Sequence, residues 1–305
     1  MSELSGVFPV LPTPFTPQGA VDRTAFARIF DFVLESGADG IVFPGMASEV
    51  EKLTADERAD LVAFLGTRIG GRIPFIVGAS AATPEAAASF AEAGRKVGAV
   101  AAMIMAPASC GLDVDAHVAF YRDVSDRTTL ALMLQNAPAP MGAGLAPELV
   151  AAIATQVPAV RYVKEETLPC GQHVTKILAA TKGSLDGVFG GAGARYVLDE
   201  LMRGASGTMP ASELADVHVA LMRAWSSGDR ARARALYSRT LPLLLFQAIF
   251  RVRATKALLQ MRGLLDCTAV RAAGPEFDAL DTAEFAALAA EAADLFSVHK
   301  LKESA

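Results

Sequence analysis

Residues 160–166, Val160-Arg161-Tyr162-Val163-Lys164-Glu165-Glu166, read as a short β-branched and aromatic strand that ends on a lysine lying between apolar residues and two carboxylates. At the end of a buried strand a lysine is desolvated, which disfavours its charged form and favours the free amine that attacks carbonyls. At a solvent-reaching strand end, the same lysine would pair its ammonium with Glu165 or Glu166. These residues alone leave both readings open.

Working outward, similar short apolar runs recur at 7–11, 40–43, 73–77, 99–105, 130–134, 160–164, 185–189 and 207–209, each followed by an Ala-rich amphipathic segment. Eight strands alternating with helices at a spacing of roughly 20–30 residues predict a parallel sheet, and eight such units make a (β/α)8 TIM barrel. Helix starts agree with the count. Thr54-Ala55-Asp56-Glu57 has capping-box spacing, while Thr83-Pro84-Glu85 and Ala146-Pro147-Glu148 place proline at a first helical position. After Ser212 the strand signals stop. Helices are expected at about 213–226, 229–238, 242–260 and 282–298, with a loop over 262–275 and a frayed end. The barrel therefore takes residues 1–225, and a C-terminal helical appendage, 226–305, packs on it.

Composition narrows the function. With 305 residues, 52% of them hydrophobic, the chain has ample core, yet Gly, Pro or charge cuts every apolar stretch well before the roughly 18 residues that span a bilayer. No basic region precedes an apolar run in residues 1–10, so a cytoplasmic location is expected. A net charge of −5 with interspersed signs and 7% aromatics offers no nucleic-acid footprint, which leaves small-molecule chemistry. Cys110, Cys170 and Cys267 are widely spaced, with no histidine at ligand distance, and read as plain thiols; no metal site is expected.

Working residues in such barrels sit at the C-terminal strand ends. That rule collects Gly45-Met46-Ala47-Ser48-Glu49, Pro107-Ala108-Ser109-Cys110, Gln135-Asn136-Ala137-Pro138, Lys164-Glu165, Gly190-Gly191-Ala192-Gly193 and Thr208-Met209-Pro210-Ala211. Among them Lys164 is the one covalent nucleophile suited to carbonyl chemistry.

Gly6-Val7-Phe8-Pro9-Val10-Leu11-Pro12-Thr13-Pro14-Phe15, Gly37-Ala38-Asp39-Gly40-Ile41, Leu53-Thr54-Ala55-Asp56-Glu57-Arg58 and Lys164-Glu165, in this order and spacing, resemble the dihydrodipicolinate synthase and N-acetylneuraminate lyase family of class I aldolases. The resemblance covers nearly the whole chain. It implies a 2-oxo acid substrate held as a covalent imine on Lys164, no separate cofactor, and a homo-oligomer, tetramer or dimer. Departures matter as much. The family's Gly-Thr-Thr-Gly-Glu motif reads Gly45-Met46-Ala47-Ser48-Glu49, Gln135 stands where a relay tyrosine is usual, and Pro140 replaces an arginine that binds the aldehyde substrate in true synthases. An amide is no general acid or base near neutral pH.

Ser48-Glu49, Gln135-Asn136-Ala137-Pro138, Gly190-Gly191 and Gly207-Thr208-Met209-Pro210 are similar to the branch containing L-2-keto-3-deoxyarabonate dehydratase. The expected reaction is dehydration or retro-aldol cleavage of a 2-keto-3-deoxy acid, with synthase-like condensation or plain binding of a 2-oxo acid as alternatives. The expected catalytic residues are Lys164, Gln135 and Glu49, and the expected substrate contacts Met46, Ala47, Ser48, Gly190, Gly191 and Thr208. Glu49 and Glu165 are candidate proton handlers if their carboxyls are raised, and structural groups if paired with a lysine or arginine.

Overall fold

A computed structural model describes residues 3–301. The fraying expected of the last residues falls on 302–305, outside the described residues. In chain order the elements are β1 (Gly6–Val7), α1 (Arg23–Glu35), β2 (Ile41–Phe43), α2 (Ala55–Ile69), β3 (Phe75–Gly78), α3 (Pro84–Lys96), β4 (Ala101–Met105), α4 (Val114–Ser125), β5 (Ala131–Asn136), α5 (Pro147–Gln156), β6 (Val160–Glu165), α6 (Cys170–Thr181), β7 (Gly187–Gly190), α7 (Val197–Met202) and β8 (Gly207–Thr208), followed by α8 (Ala215–Ser226), α9 (Arg230–Phe250), α10 (Val252–Met261) and α11 (Ala279–Glu291). The sheet order is β1-β8-β7-β6-β5-β4-β3-β2, that of the (β/α)8 barrel expected from the eight runs.

Contacts divide the chain into two compact units, Met1–Gly6 with Val62–Met209, and Val7–Leu61 with Pro210–Ala305. In the first, β4, β5 and β6 are almost continuously buried, as strands covered on both faces must be. Their parallel register pairs Gln135 with Lys164 and Asn136 with Glu165. Side chains alternate along a strand, so one pair faces one side of the sheet and the other pair the opposite side. Local signals hold: Thr83 caps α3 by accepting from the Ala86 amide, and Pro147 opens α5.

In the second unit, Thr54 and Glu57 exchange the two hydrogen bonds of a capping box, at 3.1 and 3.0 Å. The helical tail differs from expectation in two places. No break occurs before Pro242, which lies inside α9; the break comes at Arg251, with φ 56°. A mid-helix proline costs about 3 kcal/mol, and here Leu243, Leu244 and Phe250 are buried on the same helix while Phe246 and Phe250 pack with Phe277 and Phe285. That packing holds the helix through the local breaker. The last helix runs Ala279–Glu291 in place of 282–298: Asp278 takes the capping position, accepting from the amides of Leu280 and Asp281 at 2.8 Å each, and residues 293–295 form a separate 3-10 turn.

Candidate active site

Lys164 lies at the end of β6, 4% exposed, beside Gln135 at 2%. Its Nζ stands 3.2 Å from Glu166 Oε1. The same oxygen accepts from Gln135 Nε2 at 2.6 Å, and Glu166 Oε2 accepts from the Ala192 amide at 3.4 Å. Both readings of the local sequence are thus partly realised: the lysine is desolvated and it is paired. Burial pulls the Glu166 carboxyl upward, but the Lys164 charge and the hydrogen bonds from Gln135, Lys164 and Ala192 outweigh it and leave the group below its ordinary range. Gly191 makes room for this carboxylate, since a Cβ there would sit 2.3 Å from Glu166 Cγ.

On the opposite side of β6, Glu165 is fully buried. Asn136 Nδ2 donates to its Oε2 at 2.8 Å, and the Thr167 amide and hydroxyl both donate to Oε1, the amide at 2.7 Å. The Thr167 hydroxyl also meets His173 Nδ1 at 2.7 Å. Burial raises the Glu165 carboxyl to about 7 against the hydrogen bonds of Thr167 and Asn136, with the Glu166 charge adding to the rise. Next to it, Glu200 on α7 is buried with no hydrogen-bond partner for either oxygen among the described residues. Burial, then the charges of Asp199, Glu165 and Glu166, lift it to about 8. A Cβ on Gly190 would meet Glu200 Oε2 at 1.8 Å. Gly190 and Gly191, expected as substrate contacts, are therefore bare for a packing reason as well: two carboxylic side chains occupy the space.

Met46, Ala47, Ser48 and Glu49 belong to the second unit, where residues 46–48 form a single 3-10 turn. The Ser48 hydroxyl donates to the Leu11 carbonyl at 2.5 Å and accepts from the Gly45 amide at 2.9 Å, so its one O–H is engaged within the loop. Glu49, at φ 55°, is bound on both oxygens. Lys256 Nζ lies 2.7 Å from Oε1, and the amides of Arg271 and Ala272 donate to Oε2 at 2.8 and 2.7 Å. That is the paired condition under which a carboxylate is structural, and it departs from the proton-handling role expected of Glu49.

Thr208 is buried, and its hydroxyl has no partner among the described residues, which leaves it available to a bound molecule. Burial raises the Cys170 thiol to about 12, with the charges of Glu200 and Glu165 adding, so it is no nucleophile. No cluster of three or more His, Cys, Asp or Glu among the described residues is placed to hold a metal ion. No helix among them is long and apolar enough to cross a membrane.

Lys164 and Gln135 are brought together as the sequence implied. Glu166 was read as an ion partner for Lys164 but not as a site residue, although a signal existed: residues i and i+2 of an extended chain share a face, which continues one residue past β6 and sets Glu166 beside Lys164. Glu200 had none, because its place depends on how α7 packs.

A sequence model described as the Dihydrodipicolinate synthetase family matches residues 3–289. The chain is 29% identical over 288 residues to an L-2-keto-3-deoxyarabonate dehydratase of Azospirillum brasilense, covering 93% of each protein. It is 31% identical over 225 residues to a 4-hydroxy-tetrahydrodipicolinate synthase of Stenotrophomonas maltophilia, covering 70% of this chain and 75% of that protein. Among solved structures, the dihydrodipicolinate synthase of Rhodopseudomonas palustris superposes with a TM-score of 0.87 at 26% identity, over 95% of this chain and 98% of the other.

Proposed function

Since the chain belongs to the Dihydrodipicolinate synthetase family and is a lyase of that family, we propose that it forms a Schiff base between Lys164 and a 2-keto-3-deoxy acid and dehydrates it. The carrying observation is the buried Lys164 Nζ 3.2 Å from Glu166, with Gln135 on the same carboxylate oxygen.

In this reading the proton shared by Lys164 and Glu166 moves to the carboxylate as the amine attacks C2; it then passes, with one proton of the attacking amine, to the carbonyl oxygen, which leaves as water and returns Glu166 to its ionised form. The iminium draws electrons from C3 and acidifies its proton, which passes to the ionised Glu166 carboxylate. The enamine then expels the C4 hydroxyl as water, taking the proton back from Glu166, and hydrolysis returns the free lysine. Gln135 transfers no proton; its amide orients Glu166. The relatedness to a dehydratase over 93% of both chains supports loss of water over cleavage of C3–C4, which would pass through the same enamine.

Borohydride trapping with pyruvate and with 2-keto-3-deoxy pentonates is expected to place one reduced adduct on the peptide bearing Lys164, none in Lys164→Ala, and a dehydrated product in turnover. An adduct that survives the substitution overturns the assignment. Pyruvate as the turnover product overturns dehydration alone.

A further inference from the structure

The polar groups behind β6 take no part in the imine chemistry, yet they form a continuous path. Glu165 is buried, Thr167 bridges it to His173, and the His173 side chain keeps 15% of its surface exposed. The path runs from a sealed carboxyl to solvent. A hydroxyl has a single O–H to donate, so its direction depends on one proton. With Glu165 protonated, the acid donates to Thr167 Oγ1 and Thr167 donates to His173 Nδ1. With Glu165 ionised, Thr167 donates to the carboxylate and His173 presents an N–H at Nδ1. Loading or unloading one proton reverses both bonds.

We propose that Glu165, Thr167 and His173 are a positioning relay behind Lys164, storing one proton exchanged with solvent at His173 and keeping the Lys164–Glu166 pair ready for imine formation while it is stored. The relay's effect on chemistry rests on the imine reading above. Every titratable group facing Glu165 bears on the stored proton. Glu166 and Lys164 adjoin it in sequence, α6 contributes Cys170 and His173, α7 contributes Glu200, and β5 contributes only the Asn136 amide. Around His173 the charges are Lys176 and Glu148, and burial followed by Lys176 holds the ring below its ordinary range, which favours the neutral imidazole that can accept or donate at Nδ1 according to its tautomer. The Glu165 carboxyl, raised to about 7 by burial, exchanges its proton near neutral pH. Once ionised it adds a second negative charge next to Glu166, which tightens the hold on the proton that Lys164 must shed before attacking.

The test uses the full chain, pyruvate and borohydride quenching across about pH 6 to 8.5, together with the His173 ring signals followed by NMR. For a single group titrating through neutrality, the stored fraction falls about tenfold between about pH 6 and 8, and the rate of adduct formation is expected to fall with it. Glu165→Gln, which imitates the loaded acid, is expected to flatten the profile to within about twofold and to remove the neutral inflection of His173. Thr167→Val keeps the carboxyl but cuts the path, and is expected to remove the same inflection. A profile and an inflection that are unchanged in Glu165→Gln overturn the relay. Absence of any adduct in the parent at every pH overturns the imine reading instead; the His173 inflection, lost or kept in the two variants, then supports or overturns the relay by itself.

Discussion

Lys164 in the first unit and Lys256 in the second are both buried next to a glutamate, at 3.2 and 2.7 Å, and their surroundings differ in what they leave undone. Lys256 donates to Glu49 and, at 2.6 Å, to the Ala269 carbonyl, and it stands 4.4 Å over the ring of Phe15. Its glutamate is saturated in turn by two main-chain amides. Lys164 has Glu166 as its one ionic partner among the described residues, and that partner's oxygen is shared with a glutamine. An ammonium has three donors. Where they meet acceptors on several sides, as around Lys256, the lysine is a structural cation; around Lys164 that set is not complete among the described residues. Burial of a lysine is therefore uninformative about reactivity until its acceptors are counted.

The harshest trial of that contrast is Lys256→Met. It strands Glu49 as an uncompensated buried charge and is expected to lower the unfolding free energy by about 3–5 kcal/mol, measured by denaturant titration, while the borohydride adduct on Lys164 still forms. Pairing it with Glu49→Leu is expected to restore stability to within about 1–2 kcal/mol of the parent. Loss of the adduct in the single variant without loss of stability would assign chemistry to Lys256 and erase the distinction.

A milder probe is pH. Glu200, raised to about 8, binds its proton in the native state while the unfolded chain has lost it at its ordinary value, so its contribution makes stability fall as pH rises from about 5 to 8. His218 in the second unit, lowered to about 4 by burial, acts with the opposite sign and erodes stability as pH falls from about 6.5 to 4. Glu200→Gln is expected to flatten the decline between about pH 6 and 8, by up to about 1.4 kcal/mol per pH unit where one proton is at stake. Melting curves at several pH values decide it; an unchanged slope removes Glu200 from the balance. The smallest effect belongs to a third lysine, the exposed Lys182 that ends α6 at φ 48°. Lys182→Gly relieves a left-handed backbone and is expected to add about 0.5–1 kcal/mol, with adduct formation unaltered.

The eight runs, the Thr54–Glu57 box and the proline-led helix starts were legible because each is a local pattern. The tail was less so: the proline at 242 reads as a stop, and only the phenylalanines gathered from 246, 250, 277 and 285 overrule it. At the site, Lys164 and Gln135 were legible from strand ends and family resemblance. The partner that locks Glu49 was not, lying 207 residues away on α10. Distance along the chain hides ion pairs, and with them which carboxylates are tied.

The bare Cα of Gly191 couples two positions: even one methyl there would collide with the Glu166 side chain, so residues 166 and 191 constrain each other in this chain. A side chain added at 191 would dislodge the carboxylate that is paired with Lys164.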